Sequence, residues 1–121
     1  MSTRVVRAKS KPHGASAAEA SFLAAMADKA QDAARLLKLL ANENRLLILC
    51  FLTVRGEMTV GALVAAVKLS QSALSQHLAR LREDGLVTFR RESQTLHYRL
   101  ADPRAARVLS VLKDIYCSDL A

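Results

Sequence analysis

From Phe22 to Leu40 apolar residues recur at every third and fourth position: Phe22, Leu23, Met26, Ala30, Ala33, Ala34, Leu37 and Leu40. Asp28, Lys29, Asp32 and Lys38 fall on the other faces, so the spacing predicts a long amphipathic helix. Its start is marked by Ser16-Ala17-Ala18-Glu19, a capping-box pattern in which hydroxyl and carboxylate each accept from the other residue's backbone N–H. Asn42 is a suitable cap for a second helix, because its side chain can accept from a free N–H of the first turn. The run that follows, residues 45–52 (RLLILCFL), is apolar on nearly every face. Such a helix is expected to be central and buried, and Gly56 ends it.

A short helix is predicted over 60–67, with Thr59 as its cap and Val60, Leu63, Val64 and Val67 as one apolar stripe. Lys68 and Leu69 make a turn, and Ser70 caps the next helix, Gln71 to Asp84. There Leu74, Leu78 and Leu81 face inward, which turns Gln71, Ser72, Ser75, Gln76, Ala79, Arg80 and Arg82 outward. Gly85 supplies the left-handed residue that stops the helix. Beyond it the period changes to two: residues 86–91, a polar turn at 92–95, then 96–100. Leu96, Tyr98 and Leu100 alternate with His97 and Arg99, as in a two-stranded ribbon with one face on a core. Asp102 caps a last helix that opens with Pro103, whose missing N–H costs nothing at that position. Val108, Leu109, Leu112, Ile115 and Tyr116 supply its apolar face.

Composition narrows the picture. A chain of 121 residues has room for one hydrophobic core, and with five aromatic residues and no Trp that core is built from Leu, Val and Ala. The expected fold class is mainly α with a two-stranded β-wing. The net charge of +7 points to a polyanion as partner. Four of those charges, Arg4, Arg7, Lys9 and Lys11, lie in a segment without acids. Residues 1–15 therefore read as a flexible basic N-terminal arm and 16–121 as the folded domain. No apolar run reaches the roughly 18 residues of a membrane span and no secretory signal is visible, so a soluble, cytoplasmic protein without membrane contact is expected. Gly-rich phosphate loops, paired carboxylates and nucleophile motifs are missing from the sequence, which argues against an enzyme.

A short helix, a tight turn, a second helix with polar outward residues and then a basic hairpin follow the order of a winged helix-turn-helix. The second helix suits the major groove of double-stranded DNA and the hairpin suits the backbone or minor groove. Gln71 or Gln76 can pair bidentately with adenine, Ser72 or Ser75 can reach phosphate or base, and His77 can contact DNA or cap the turn. Arg80, Arg82, Arg90, Arg91 and Arg99 are candidates for phosphate neutralisation. A winged helix used only for protein contacts is the competing reading.

Residues 39–49 (LLANENRLLIL), 69–78 (LSQSALSQHL) and 81–87 (LREDGLV), followed by His97-Tyr98, resemble the ArsR/SmtB family of bacterial transcriptional repressors. The resemblance spans roughly residues 25–117. It implies a homodimer formed through the first and last helices that binds an inverted repeat in a promoter and lets go when an inducer arrives. Metal sensing is a familiar use of that family, but neither of two family metal sites is matched. Residues 57–63 (EMTVGAL) contain no Cys or His, and residues 102–117 contain no His. Zinc needs about four ligands, so no metal or other cofactor is expected. Cys50 and Cys117, within Ile48-Leu49-Cys50 and Ile115-Tyr116-Cys117, are similar to the pair in the persulfide-sensing branch, the SqrR and BigR type repressors. That likeness implies a di- or polysulfide link between Cys50 and Cys117 on exposure to reactive sulfur species. Metal, haem or general oxidants are the other inducers to be weighed, and free cysteines are also often merely small buried hydrophobes.

Overall fold

The structure, a computed structural model, describes residues 16–118. The basic arm expected over 1–15 and the last three positions of the expected folded domain lie outside the described residues. The elements are α1 (Ala17–Leu40), α2 (Glu43–Arg55), β1 (Glu57–Thr59), α3 (Val60–Val67), α4 (Gln71–Glu83), β2 (Val87–Glu92), β3 (Thr95–Leu100) and α5 (Pro103–Cys117). The chain separates into two compact units, one ending at Arg35 and the other beginning at Leu36.

Each helix starts where a side chain can satisfy its free N–H groups. Ser16 Oγ accepts from the Glu19 N–H at 3.0 Å while Glu19 Oε1 accepts from the Ser16 N–H at 2.8 Å. Asn42, Thr59 and Ser70 accept from Arg45, Ala62 and Ala73 at 3.0–3.1 Å, and Asp102 accepts from Arg104 at 2.8 Å. Such caps contribute about 1 kcal/mol each. The Arg104 side chain also donates to Asp102, which holds that carboxyl below the usual carboxylate range. At the junction of α1 and α2, Arg45 Nε donates to the Leu39 carbonyl at 2.7 Å. A cation there answers both the unpaired last carbonyls and the negative end of the helix dipole.

In the second unit the core draws on every element. Ile48, Leu49 and Leu52 of α2 meet Leu63 of α3, the inward stripe Leu74, Leu78 and Leu81 of α4, and Leu109 of α5. Met58, Leu86, Val87 and Tyr98 close it from the sheet side. Helix α4 stops one residue earlier than the sequence suggests, with Asp84 as its cap. Gly85 follows at φ 79°, its N–H on the Arg82 carbonyl at 3.0 Å, and the Leu86 N–H returns to the Leu81 carbonyl at 2.9 Å. This is a Schellman motif, and it turns the chain from the outward helix into the sheet with Leu81 and Leu86 both buried beneath it. Nothing lies within 4 Å of a Cβ built on Gly85, so Gly85→Ala costs only the left-handed backbone. We expect a loss of about 1–2 kcal/mol in urea unfolding with unchanged slope.

Two expectations are corrected. The ribbon has a third strand: β1 pairs antiparallel with β3, giving the order β1-β3-β2. Three residues with one buried side chain, Met58, are too few to show alternation in a sequence. Helix α2 is not buried all round, because Leu47, Cys50 and Val54 share an exposed face, with Val54 75% accessible. The apolar face of α5 is only partly used: Ala105 and Leu109 are buried, whereas Ile115 and Tyr116 stand 62% and 78% exposed. Along α1, likewise, Leu36, Leu39 and Leu40 are buried while Phe22, Leu23, Met26 and Leu37 are exposed.

Candidate nucleic-acid interface and cysteine groove

Helix α4 presents Gln71, Ser72, Ser75 and Gln76 to solvent, as its period requires, because Leu74, Leu78 and Leu81 anchor the opposite face. His77, between the two faces, is half-buried. Gln71 and Ser75 line an open polar cleft of about 540 Å³ whose other walls are Thr59, Val60 and Gly61 at the start of α3 and Gln94, Thr95, Leu96 and Tyr98 of the hairpin. The structure thus brings the start of the outward helix and the tip of the wing to one place. Gln94 was not singled out by its sequence, where it is one of four polar turn residues. It gains its position from the two-residue turn between Glu92 and Thr95, in which Ser93 adopts φ 57°.

The candidate phosphate-binding arginines have different surroundings. Arg80 Nε donates to Asp84 Oδ2 at 3.1 Å, one helical turn away. Arg82 lies over the Phe89 ring with its Cζ 4.7 Å from the centroid, and Phe89 in turn meets Tyr98 at 5.3 Å, so a cation–π stack joins α4 to the wing. Arg90 is bound to Glu57 of β1. Arg91 and Arg99 carry no ion pair among the described residues. An arginine committed to a carboxylate has part of its charge already neutralised, so these five side chains do not offer equal attraction to phosphate.

Cys50 and Cys117 line one groove. It lies between α2 and α5, holds about 510 Å³ and is walled by Leu46, Thr53, Val54, Leu109, Ser110, Leu112, Lys113 and Tyr116 besides the two thiols. Cys50 belongs to the uncovered face of α2, correcting its expected place in a buried helix, and Cys117 is the last residue of α5. Both are free thiols. Burial against the groove pushes the Cys50 thiol up, and the nearby Cys117 pushes it further. The two sulfurs are therefore near enough to act on one another electrostatically. Lys113, one helical turn before Cys117, is the one charged side chain of the lining among the described residues, and neither it nor Ser110 stands out in the sequence. Among the described residues no group of three or more His, Cys, Asp or Glu side chains is placed to share a metal ion. No helix among them is long and apolar enough to cross a membrane.

Comparison with known proteins agrees with this geometry. Residues 42–88 match the family described as bacterial regulatory protein, arsR family. The chain is 51% identical over 82 residues to the transcriptional activator HlyU of Vibrio cholerae, a match that covers 68% of this chain and 75% of that one. Two solved structures share the fold. Reduced HlyU from Vibrio cholerae N16961 is 48% identical, with a TM-score of 0.72 over 76% of this chain and 96% of that one. The transcriptional repressor BigR from Xylella fastidiosa is 39% identical, with a TM-score of 0.73 over 78% of this chain and 96% of that one.

Proposed function

This chain belongs to the ArsR family of bacterial regulatory proteins, and from that premise we propose that it is a repressor that leaves operator DNA when reactive sulfur links Cys50 to Cys117. The observation that carries the reading is the common groove: two free thiols from different helices line one largely apolar space. In the proposed chemistry the Cys117 thiolate attacks the outer sulfur of a persulfide RS–SH, forming a Cys117 persulfide and releasing RS⁻. The Cys50 thiolate then attacks the inner sulfur, closing a disulfide and expelling hydrosulfide. From a trisulfane RS–S–SR each cysteine displaces one RS⁻ from the central sulfur, which stays in the bridge. A direct disulfide needs Cα atoms within about 7 Å, and added sulfur relaxes that limit.

The bridge acts on DNA through the dimer. The exposed apolar residues of α5, Val111, Ile115 and Tyr116, and those of α1, Phe22, Leu23 and Met26, are the surfaces a second copy would cover. Two copies of α4 held about 34 Å apart meet successive major grooves of an inverted repeat. A link between α2 and α5 ties the core under α4 to the dimer helix and alters that spacing. Gln71, Ser72, Ser75, Gln76 and His77 read or position DNA in this reading, with arginines of α4 and the wing on phosphates. Fluorescence anisotropy on a duplex from the region upstream of the gene tests it. Binding in reductant, loss after treatment with a polysulfide donor, and an intact mass lower by two hydrogens (disulfide) or higher by each inserted sulfur less two hydrogens (trisulfide or longer) support the reading. Loss with zinc or haem instead, or indifference to DNA, refutes it. Gln71→Ala and Gln76→Ala are each expected to weaken operator binding by about 1–3 kcal/mol, roughly 5- to 150-fold, while the thermal midpoint and non-specific binding stay unchanged.

A further inference from the structure

The wing offers two adjacent arginines, and they point to opposite sides of the sheet. Directly paired residues of an antiparallel sheet share a face, and neighbours along a strand alternate. The register Arg90↔His97, Thr59↔His97, Glu57↔Arg99 and Glu92↔Thr95 therefore places Arg90, Glu92, His97, Arg99 and Glu57 on one face. Arg91↔Leu96 and Phe89↔Tyr98 place Arg91 on the other, the face that carries the core residues and on which Arg82 of α4 stacks. One step along β2 separates a side chain on the α4 side from one turned away from it.

On its own face Arg90 is held. Its Nε donates to both oxygens of Glu57, at 3.0 and 3.1 Å, and its Nη2 lies 3.0 Å from Glu57 Oε1. Because β3 runs between β1 and β2, this contact bridges the middle strand and ties the two outer strands together. The remaining nitrogen, Nη1, is 3.6 Å from Glu92 Oε1, an oxygen that also stands 3.3 Å from His97 Nε2. With Arg99 beside Glu57 across the β1–β3 pair, two cations face two carboxylates, so this side is close to neutral when His97 is uncharged. A phosphate approaching Arg90 would have to displace a chelating carboxylate and would meet a second one. Exposed ion pairs contribute little to stability as a rule, but a planar guanidinium gripped by both oxygens of one carboxylate, within a network, is the geometry that does.

We propose that Glu57 is a positioning residue that keeps Arg90 off the DNA and braces the wing, and that Arg91 is the wing arginine that meets phosphate. The proposal rests on the DNA-binding reading, and its test separates the two. Phosphate contacts are independent of sequence, and each one released lowers the slope of log K against log salt by about 0.9. With the full chain and a duplex from its upstream region, Arg91→Ala is expected to reduce the slope by about 0.9 per bound protomer. Arg90→Ala is expected to leave it unchanged. The charge swap Glu57→Arg with Arg90→Glu should keep both the slope and the thermal midpoint, because it rebuilds the strand-spanning pair with its charges exchanged. Equal slope losses for Arg90→Ala and Arg91→Ala overturn the clamp, as does a swapped protein that is folded but has lost a phosphate contact. No binding by the unsubstituted protein overturns the DNA reading instead.

Discussion

A protein carrying Cys117→Ser is expected to remain on its operator at polysulfide concentrations that strip the unsubstituted regulator from it. The serine keeps the size and place of the side chain at the end of α5 but cannot accept sulfur, so no bridge to Cys50 forms. Affinity in reductant should be within about twofold of the unsubstituted protein, since Cys117 is on α5 and away from the outward residues of α4. Cys50→Ser is expected to fail in the same assay for a different reason. Burial against the groove and the nearby Cys117 raise the Cys50 thiol above its ordinary range, which disfavours Cys50 as the first attacker. Mass spectrometry separates the two variants: Cys50→Ser should collect added sulfur on Cys117 without closing a bridge, whereas Cys117→Ser should collect much less. Full polysulfide response in either variant removes the cysteine pair from the mechanism.

The second large effect is structural. Leu78→Ala is expected to destabilise the fold by about 2–5 kcal/mol, since Leu78 is 1% exposed and its removal opens a cavity where α4 rests on α2 and α3. In a domain this small each kcal/mol shifts the thermal midpoint by about 4–8 °C, so a fall of roughly 8–40 °C is expected. The measurement is a thermal or urea melt followed by circular dichroism, and a shift below about 1 kcal/mol would show that α4 is not anchored by this stripe. DNA binding by the variant should follow the folded fraction and return on cooling. Gln76→Ala, one face away, should do the reverse, with affinity lost and the melt unmoved.

These two variants also show how much of the molecule is legible in the amino-acid sequence alone. Local chemistry was legible: Ser16, Asn42, Thr59, Ser70 and Asp102 each mark a helix start because a cap acts within three residues. So was the division of α4 into an inward stripe and an outward polar face, which follows from its period. Pairings distant in sequence were not. Strand β1 has no alternating pattern of its own and exists because Glu57, Met58 and Thr59 find Arg99, Tyr98 and His97 some forty positions later. For the same reason Arg90 and Arg91 look alike in the sequence, and only the register distinguishes them. Burial was over-read where apolar residues cover a whole helix. Periodicity says that Val54, Ile115 and Tyr116 are apolar, but not whether their cover comes from this chain.

The position of Cys117 at the final turn of α5 has a mechanical meaning. A helix's last residues lack half of their hydrogen-bonding partners and open more readily than its middle. Cys50 sits in mid-helix, so the proposed link would join a residue held by the core to a helix end. That end can retreat as the bridge lengthens, which lets one site accept links with different numbers of sulfur atoms without straining the core. Closing any of them removes the freedom of that turn. In the proposed switch the signal passed to DNA is then as much a loss of freedom in the last turn of α5 as a change in the direction of a helix.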